Sequence, residues 1–258
     1  MTRTDGGLSI DLNADLGEAL TPEGIALEEA VMRSVTSVNI ACGGHVGDAT
    51  SMRRAVRTAA EHGVAVGAHP SYPDRAGFGR RPMGIDASAL REVVREQVCA
   101  LGVIARSEGV VMTHCKPHGA LYHAASTDES IATAIWEACV EGGFEVRLVG
   151  LAGSRAVGWW RELGAAVIEE AFADRAYERD GTLRPRSTRG AVLDDPDAAA
   201  AQAVRIAAVG VAPCGDGGEV SVRAGTLCVH SDTPDAAVIA ERVSAALRRA
   251  GVRLRSFG

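Results

Sequence analysis

Residues 8–18 read LSIDLNADLGE, and this stretch indicates how the chain begins to fold. Polar and apolar residues alternate through it, which is typical of a β-strand with two different faces. Asp11, Asn13 and Asp15 share one face, and the intervening apolar residues share the other. Because polar side chains on a buried strand are costly unless they are paired or wet, we expect this face to line a functional site.

Six more short, β-branched runs follow along the chain and alternate with longer stretches of helical periodicity. The seven predicted strands are residues 8–14, 37–42, 64–69, 110–115, 146–151, 165–172 and 226–230. The predicted helices are residues 49–61, 87–107, 128–140, 154–163, 197–209 and 235–250. Asp48, Asp86 and Thr127 are expected to cap three of them. Strand–helix alternation without a linker predicts an α/β fold, a closed or nearly closed (β/α) barrel of parallel strands rather than an open doubly wound sheet.

The composition fits one enzyme domain. A chain of 258 residues with 47% apolar residues is long enough for a single barrel over residues 1–258, with insertions at 173–192 and 214–225. A net charge of -6 without a basic stripe argues against a nucleic-acid partner. No signal segment or membrane-spanning run is visible, and the six cysteines form no CxxC pair. The protein is therefore expected to be cytoplasmic, with reduced thiols.

Lysine occurs once in the chain: of the 27 basic residues, only Lys116 is not arginine. Arginine serves wherever a solvated positive charge will do, so Lys116 marks a position where a guanidinium would not serve. An ammonium is a compact point charge that can hold an anion or, after losing its proton, act as a base. Pro117 restricts the lysine backbone to extended geometry, which should aim the ammonium into the barrel mouth. The alternative is that one lysine survived by chance.

Reactive side chains gather where the predicted strands end. In (β/α) barrels the loops at these ends converge on one mouth, where ligands bind. His45, His69 and Lys116 follow the second, third and fourth strands, and Asp174 and His230 follow the sixth and seventh. A lone histidine there is commonly structural, but several that converge with a lysine indicate a catalytic or metal site. The sequence contains no GxxxxGK[ST] phosphate loop and no GxSxG nucleophile elbow.

The insertion after the sixth strand carries five arginines and is expected to form a solvated cationic flap over this mouth. They are Arg175, Arg179, Arg184, Arg186 and Arg189. In the second insertion, residues 219–223 alternate like a short edge strand or hairpin.

Five motifs occur in order along the chain: DLNADLGE (11–18), NIACGGHVGD (39–48), GAHPSYPD (67–74), KPHGALY (116–122) and FADRAY (172–177). Together they resemble the LamB/YcsF family, which forms the A subunit of bacterial ATP-dependent 5-oxoprolinase. The resemblance covers nearly the whole chain and implies a barrel similar to the glycoside hydrolase/deacetylase superfamily, often seven-stranded. Three residues depart from the family pattern: Ala14 replaces a frequent Cys, His123 a frequent Asn, and Arg189 a common Pro.

The resemblance implies conversion of 5-oxo-L-proline, ATP and water to L-glutamate, ADP and phosphate. It also implies a complex with 5-oxoprolinase subunits B and C, with ATP and Mg²⁺ as cofactors. Whether the chain also forms a homo-oligomer is an open question at this point. A five-membered lactam resists hydrolysis, and phosphorylation of its amide oxygen by ATP is the expected way to open it. Little activity is expected from the chain alone.

On this hypothesis the catalytic candidates are Asp11, Asp15, His45, His69, Lys116 and His118. The lysine and His118 are assigned to stabilising negative charge, one of the two aspartates to the base or to a metal, and His45 and His69 to orientation or proton transfer. The residues expected to bind substrate are Asn13, Glu18, Asn39, Tyr72, Asp74, Asp174, Arg175, His230 and Asp232.

Two other functions fit the same residues. The first is a metal-dependent deacetylase or amidohydrolase that works without ATP, with a divalent metal on Asp11, His45 and His69. The second is a non-catalytic scaffold for the other subunits, which should tolerate substitution of Asp11 or His69 without loss of activity.

Overall fold

Seven parallel strands close into a barrel in the structure, a computed structural model that describes residues 2–4, 7–215, 217–232 and 235–257. The barrel strands are β2 (Gly7–Leu16), β3 (Ser37–Ala41), β4 (Ala65–His69), β5 (Met112–Cys115), β6 (Arg147–Leu151), β7 (Val167–Phe172) and β10 (Thr226–Val229). They neighbour one another in the order β2-β10-β7-β6-β5-β4-β3, and β3 pairs back with β2. Every one of these pairings is parallel, which confirms the predicted fold.

Helices surround this barrel. In the described ranges they are α1 (Pro22–Met32), α2 (Ala49–His62), α3 (Ala87–Ser107), α4 (Gly119–Ala125), α5 (Glu129–Glu141), α6 (Arg155–Glu162), α7 (Pro196–Val209) and α8 (Ala236–Arg249). The sequence patterns predict all of them except α1 and α4. A proline and Gly24 weaken the pattern of α1, and α4 is short and follows a Pro-His-Gly turn directly. Asp48 and Asp86 cap their helices as predicted, whereas Asp128 rather than Thr127 caps α5.

The interior of the barrel is polar, and the layer between barrel and helices is apolar. On β2, Asp11 and Asn13 are buried inside the barrel, while Leu12 and Leu16 are buried in the main hydrophobic core. The alternation of residues 8–18 therefore separates two buried environments rather than core from solvent. Buried polar groups of this kind require hydrogen-bond partners, and those partners position the site.

The insertion after β7 is anchored at its base. Arg175 is only 4% exposed, and its guanidinium donates to the carbonyl oxygens of Ala191 and Arg184. Isolated bridges join Arg175 to Val192 and Tyr177 to Leu183. The prediction of a solvated flap is therefore wrong for Arg175.

The remaining strands lie outside the barrel order. β8 (Val211–Pro213) and β9 (Glu219–Ser221) form an antiparallel hairpin, which confirms the hairpin predicted in the second insertion. β1 (Thr2–Thr4) and β11 (Arg253–Leu254) pair with β2. Among the helices described, none has the length and apolar character needed to cross a membrane.

Candidate active site

A cavity of about 270 Å³ opens at the carboxyl ends of the barrel strands. The predicted site residues that line it are Asp15, Glu18, His69, Lys116, His118, Arg175, His230 and Asp232. Arg184 and Arg186 also line it, and both belong to the insertion predicted to cover this mouth; lining residues absent from the prediction include Arg80, Tyr122, His123 and Phe172. The structure thus brings eight of the fifteen predicted site residues to one mouth and adds Arg80 to its cations.

Lys116 lies at the floor of this cavity with its ammonium buried between carboxylates. Its Nζ donates to Asp15 Oδ1 at 3.0 Å, lies 2.8 Å from Glu170 Oε1, and has Asn13 Oδ1 and Cys228 Sγ at 3.3 Å. Burial alone would lower the pKa of Lys116, but Asp15 and Glu170 hold that pKa well above its ordinary value. The lysine therefore stays charged, and the expectation that it loses its proton to act as a base is not supported.

Glu170 is a site residue that the sequence patterns did not reveal. It is fully buried on β7, and its carboxylate accepts from Asn13 Nδ2 at 3.0 Å and from the Tyr122 hydroxyl at 2.8 Å in addition to facing Lys116. The cavity floor is therefore one connected network whose single cation is shared by two carboxylates.

Two asparagines predicted to bind substrate lie beneath the cavity instead. Asn39 Nδ2 donates at 2.8 Å to both Asn13 Oδ1 and Asp15 Oδ1, and its own Oδ1 accepts from His114 Nε2 at 2.9 Å. Neither asparagine lines the cavity. Asn39 therefore fixes the carboxylate of Asp15, and Asn13 contacts Glu170 and the ammonium of Lys116 directly.

Asp11 lies at the opposite end of the barrel from the other catalytic candidates. Its carboxylate accepts from the hydroxyls of Thr36, Ser37 and Thr226 at 2.5–2.7 Å. The predicted metal set of Asp11, His45 and His69 is therefore not assembled, since Asp11 is four residues before Asp15 on the same strand. At about 3.3 Å per residue, this places the two carboxylates roughly 13 Å apart along the strand.

Asp11 should make folding stability depend on pH. Burial raises the pKa of Asp11 from 3.8 to about 6 in the folded chain, so the folded chain holds this proton more tightly than the unfolded chain does. The stability that the protonated carboxyl group contributes is therefore fully present below pH 3.8 and is lost as pH rises through 6. Relative to Asp11→Asn, which cannot titrate, the wild-type free energy of unfolding is expected to fall by roughly 2 kcal/mol between pH 4.5 and 7. Urea denaturation of both proteins at the two pH values measures this difference. Equal changes in the two proteins would contradict it.

Glu18 lines a second wall of the cavity and contacts two histidines. Its Oε1 lies 3.0 Å from His45 Nε2 and 3.7 Å from His118 Nδ1, and the two imidazoles stack with ring centroids 3.8 Å apart. Burial raises the pKa of Glu18 to about 7 and lowers the pKa of His45 to about 3. Glu18 can therefore exchange a proton near neutral pH, and His45, which does not line the cavity, orients it.

His69 and His118 each point one ring nitrogen at the other. His69 Nδ1 must donate to the carbonyl oxygen of Lys116 at 2.7 Å, and His118 Nε2 to that of Phe78 at 2.9 Å, because a carbonyl only accepts. If both rings are neutral, His69 Nε2 and His118 Nδ1 each carry a lone pair and can only accept, and they lie 3.0 Å apart. A third acceptor, Asp15 Oδ2, lies 3.3 Å from His69 Nε2. Three acceptors so close require a shared proton or a metal cation between them.

These three atoms also fit a divalent metal. Zn–N bonds of about 2.0–2.1 Å place tetrahedral ligand atoms roughly 3.3 Å apart, close to the spacing of Asp15, His69 and His118. Metal-binding histidines commonly donate their other ring nitrogen to a backbone carbonyl, as both do here.

His230 faces the cavity from the end of β10 and is held by Asp174. The buried Asp174 carboxylate accepts from His230 Nδ1 at 2.8 Å and from its backbone N–H at 2.8 Å. Burial would raise the pKa of Asp174, but His230 keeps it below its ordinary value. This arrangement leaves His230 Nε2 directed at the cavity, so Asp174 positions the ring rather than binding substrate itself.

Two further residues predicted to bind substrate do not line the cavity. Tyr72 is 1% exposed and belongs to the hydrophobic core. Asp74 accepts from the Gly77 N–H and pairs with Arg81, which stabilises the loop between β4 and α3. Both therefore shape the loop that carries Phe78, the carbonyl partner of His118.

The sequence is similar to those of several bacterial proteins. A profile of the LamB/YcsF family matches residues 10–258. The chain is 48% identical over 249 residues to the A subunit of 5-oxoprolinase from Chloroflexus aggregans, across 96% of this chain and 99% of that protein. It is 45% identical over 248 residues to the A subunit of 5-oxoprolinase from Streptomyces avermitilis, again across 96% and 99%.

Solved structures extend the likeness to the fold. The lactam utilization protein from Thermus thermophilus superposes with a TM-score of 0.89 at 42% identity, over 97% of this chain and 100% of that one. A family 4 carbohydrate esterase from Streptomyces lividans superposes with a TM-score of 0.52 at 12% identity, over 97% and 93%. The second likeness concerns the barrel fold alone.

Proposed function

The chain belongs to the LamB/YcsF family, and we therefore propose that it is the ring-opening subunit of an ATP-dependent 5-oxoprolinase. The proposed overall reaction converts 5-oxo-L-proline, ATP and water to L-glutamate, ADP and phosphate. Similarity to two 5-oxoprolinase A subunits and to a lactam utilization protein supports this. The observation that carries the proposal is the mouth cavity, where Lys116, Glu18 and His230 line one small space.

The size and charge of the cavity suit a small anion. Its volume of about 270 Å³ lies below the roughly 300 Å³ at which pockets for drug-sized ligands begin. Its walls carry more basic than acidic side chains: Arg80, Lys116, Arg175, Arg184 and Arg186 against Asp15, Glu18 and Asp232. A single five-membered ring with one carboxylate fits both properties.

A nucleotide does not fit the same cavity. The space is too small for a base, a ribose and three phosphates together with the lactam, and the sequence has no phosphate-binding loop. We propose that ATP and Mg²⁺ bind in the assembled enzyme with 5-oxoprolinase subunits B and C. There ATP supplies the phosphoryl transfer that makes ring opening favourable, while the residues of this chain hold the lactam and move protons.

In the proposed mechanism Lys116 stabilises charge on the lactam oxygen. Its ammonium is fixed by Glu170 and Asp15, while its contacts to Asn13 and Cys228 are longer, at 3.3 Å. Because Lys116 also lines the cavity, a substrate oxygen can approach its ammonium from that side without breaking the ion pairs. A preorganised buried cation of this kind stabilises an oxyanion far better than water does.

Glu18 and His230 handle the protons. Glu18 takes a proton from the attacking water, whose oxygen forms the new bond to the amide carbon. The carbon–nitrogen bond of the ring then breaks, and His230 gives a proton to the departing nitrogen. The phosphoryl group that ATP gave to the lactam oxygen is left on the new carboxyl group as an acyl phosphate, and a second water hydrolyses this to glutamate and phosphate. Both side chains line the cavity, and each is oriented by a second residue, His45 for Glu18 and Asp174 for His230.

Crystals of the chain soaked in 5-oxoproline test where the ring binds. We expect density for the lactam in the cavity, with its oxygen beside Lys116 and its amide carbon within reach of a water on Glu18. An empty cavity in crystals of a chain that supports turnover in the assembled enzyme would mean that the ring opens elsewhere.

A metal-dependent amide hydrolase is the second candidate function, and the converging acceptors of Asp15, His69 and His118 favour it. A divalent metal bound there would supply a Lewis acid for the amide carbonyl and for water. Calorimetric titration of the metal-free chain with Zn²⁺ or Mn²⁺ decides between metal and proton. One equivalent bound, and lost in His118→Ala, would favour this candidate. No binding would remove it and leave a shared proton.

A further inference from the structure

Three loops meet at the rim of the cavity through one carboxylate. Asp232 Oδ2 accepts from Arg80 Nη2 and from Arg186 Nη1, both at 2.7 Å. Arg80 comes from the loop after β4, Arg186 from the insertion after β7 and Asp232 from the segment after β10. All three line the cavity.

The guanidinium of Arg80 and the backbone near Arg186 are held in place independently of Asp232. Arg80 lies over the ring of Phe78, 5.2 Å from its centroid. The backbone beside Arg186 is fixed because Arg184 gives its carbonyl oxygen to the buried guanidinium of Arg175. Both cations lie 2.7 Å from the same oxygen of Asp232, and two arginines so close together need an anion between them.

The ion pairs that Asp232 makes with Arg80 and Arg186 can be exchanged for ion pairs with another carboxylate. The side chains of Arg80, Arg186 and Asp232 are 45%, 34% and 27% exposed. Ion pairs with this access to water contribute little to stability, so an incoming carboxylate can replace the internal one at small cost. Arginine is also the residue best shaped to bind a carboxylate through two donors.

We propose that Arg80 and Arg186 form the subsite for the carboxylate of the substrate, and that Asp232 occupies this subsite in the free chain until substrate displaces it. This inference deepens the proposed function and rests on it for the identity of the ligand. On this inference the rim residues Arg80 and Arg186 recognise the carboxylate of the substrate and not only its lactam ring.

The three residues should respond to substitution with opposite signs. In the assembled enzyme, Arg80→Gln and Arg186→Gln are each expected to raise KM for 5-oxoproline about 10-fold, the effect of losing one charge-assisted hydrogen bond. Asp232→Asn removes the internal competitor and is expected to lower KM several-fold. Arg33→Gln, an exposed arginine just after α1 paired with Glu29, is the matched control and should leave KM unchanged.

A ring without the carboxylate provides the second arm. 2-Pyrrolidinone should bind weakly to the wild-type chain, and none of the rim variants should change its affinity. If Asp232→Asn raises KM for 5-oxoproline as much as the arginine variants do, the inference is overturned. Arg80, Arg186 and Asp232 would then only hold the three loops together.

Direct binding to the isolated chain separates this inference from the proposed function. Unchanged 5-oxoproline affinity in both arginine variants overturns the subsite, whatever the activity. Wild-type chain that binds 5-oxoproline but yields no glutamate with its partner subunits overturns the proposed function and leaves the subsite standing.

Discussion

Substitution of Lys116 by methionine is expected to lower glutamate formation by the assembled enzyme roughly 100-fold or more, the order of effect seen when a positioned charge is removed. Methionine matches the length of the lysine side chain but leaves the lactam oxygen without a cation. Arginine should fail as well, because its larger forked head cannot enter a space bounded by Asp15, Glu170 and Cys228. Steady-state rates of both variants measure the effect.

A matched variant separates catalysis from folding in this experiment. Without the ammonium, two buried carboxylates face each other, which costs several kcal/mol and can unfold the chain. The double substitution Lys116→Met with Glu170→Gln removes one of those charges, so it should melt closer to wild type while turnover stays low. A near-parent rate for Lys116→Arg would show that the lone lysine is a compositional accident. Full activity in every variant would favour the scaffold alternative.

Glu18→Gln is expected to reduce kcat by about 10²- to 10⁴-fold, the range for loss of a positioned general base. The amide keeps the size of the carboxyl group and its contact with His45, so KM should change little. Glu29→Gln on α1, an exposed carboxylate paired with Arg33, is the matched control. A kcat within a few-fold of wild type for Glu18→Gln would assign the base to another residue, with Asp15 next in line.

The strand order and the mouth of the barrel could be predicted because both follow from local patterns. Short apolar runs alternate with amphipathic helices, and a parallel sheet brings the strand ends together. Lys116 stood out because the chain uses arginine everywhere else. These signals are readable in the sequence without knowledge of any contact.

Depth along a strand could not be predicted. Asp11 and Asp15 share a face, and the pattern does not tell which one reaches the mouth; register against β3 and β10 decides it. Glu170 was missed because Glu169 and Glu170 are adjacent, and only their orientation shows that Glu170 is buried inside the barrel while Glu169 pairs with Arg161 near the surface. The predicted metal set of Asp11, His45 and His69 was wrong for the same reason, since the depth of Asp11 along its strand could not be predicted.

Contacts between loops were equally out of reach. Tyr72 and Asp74 stand in a motif that looks like a site, yet one packs in the core and the other holds its own loop. The rim formed by Arg80, Arg186 and Asp232 joins distant parts of the chain, so no local sequence pattern predicts that these three residues meet.

If 5-oxoproline opens in the cavity of this chain, the decisive quantity is the glutamate formed from 5-oxoproline and ATP in mixtures of this chain with 5-oxoprolinase subunits B and C. We predict glutamate only when all three are present, none from this chain alone, none from the other two, and almost none when Glu18→Gln replaces the wild-type chain. Equal glutamate formation with and without this chain would show that the ring opens in another subunit.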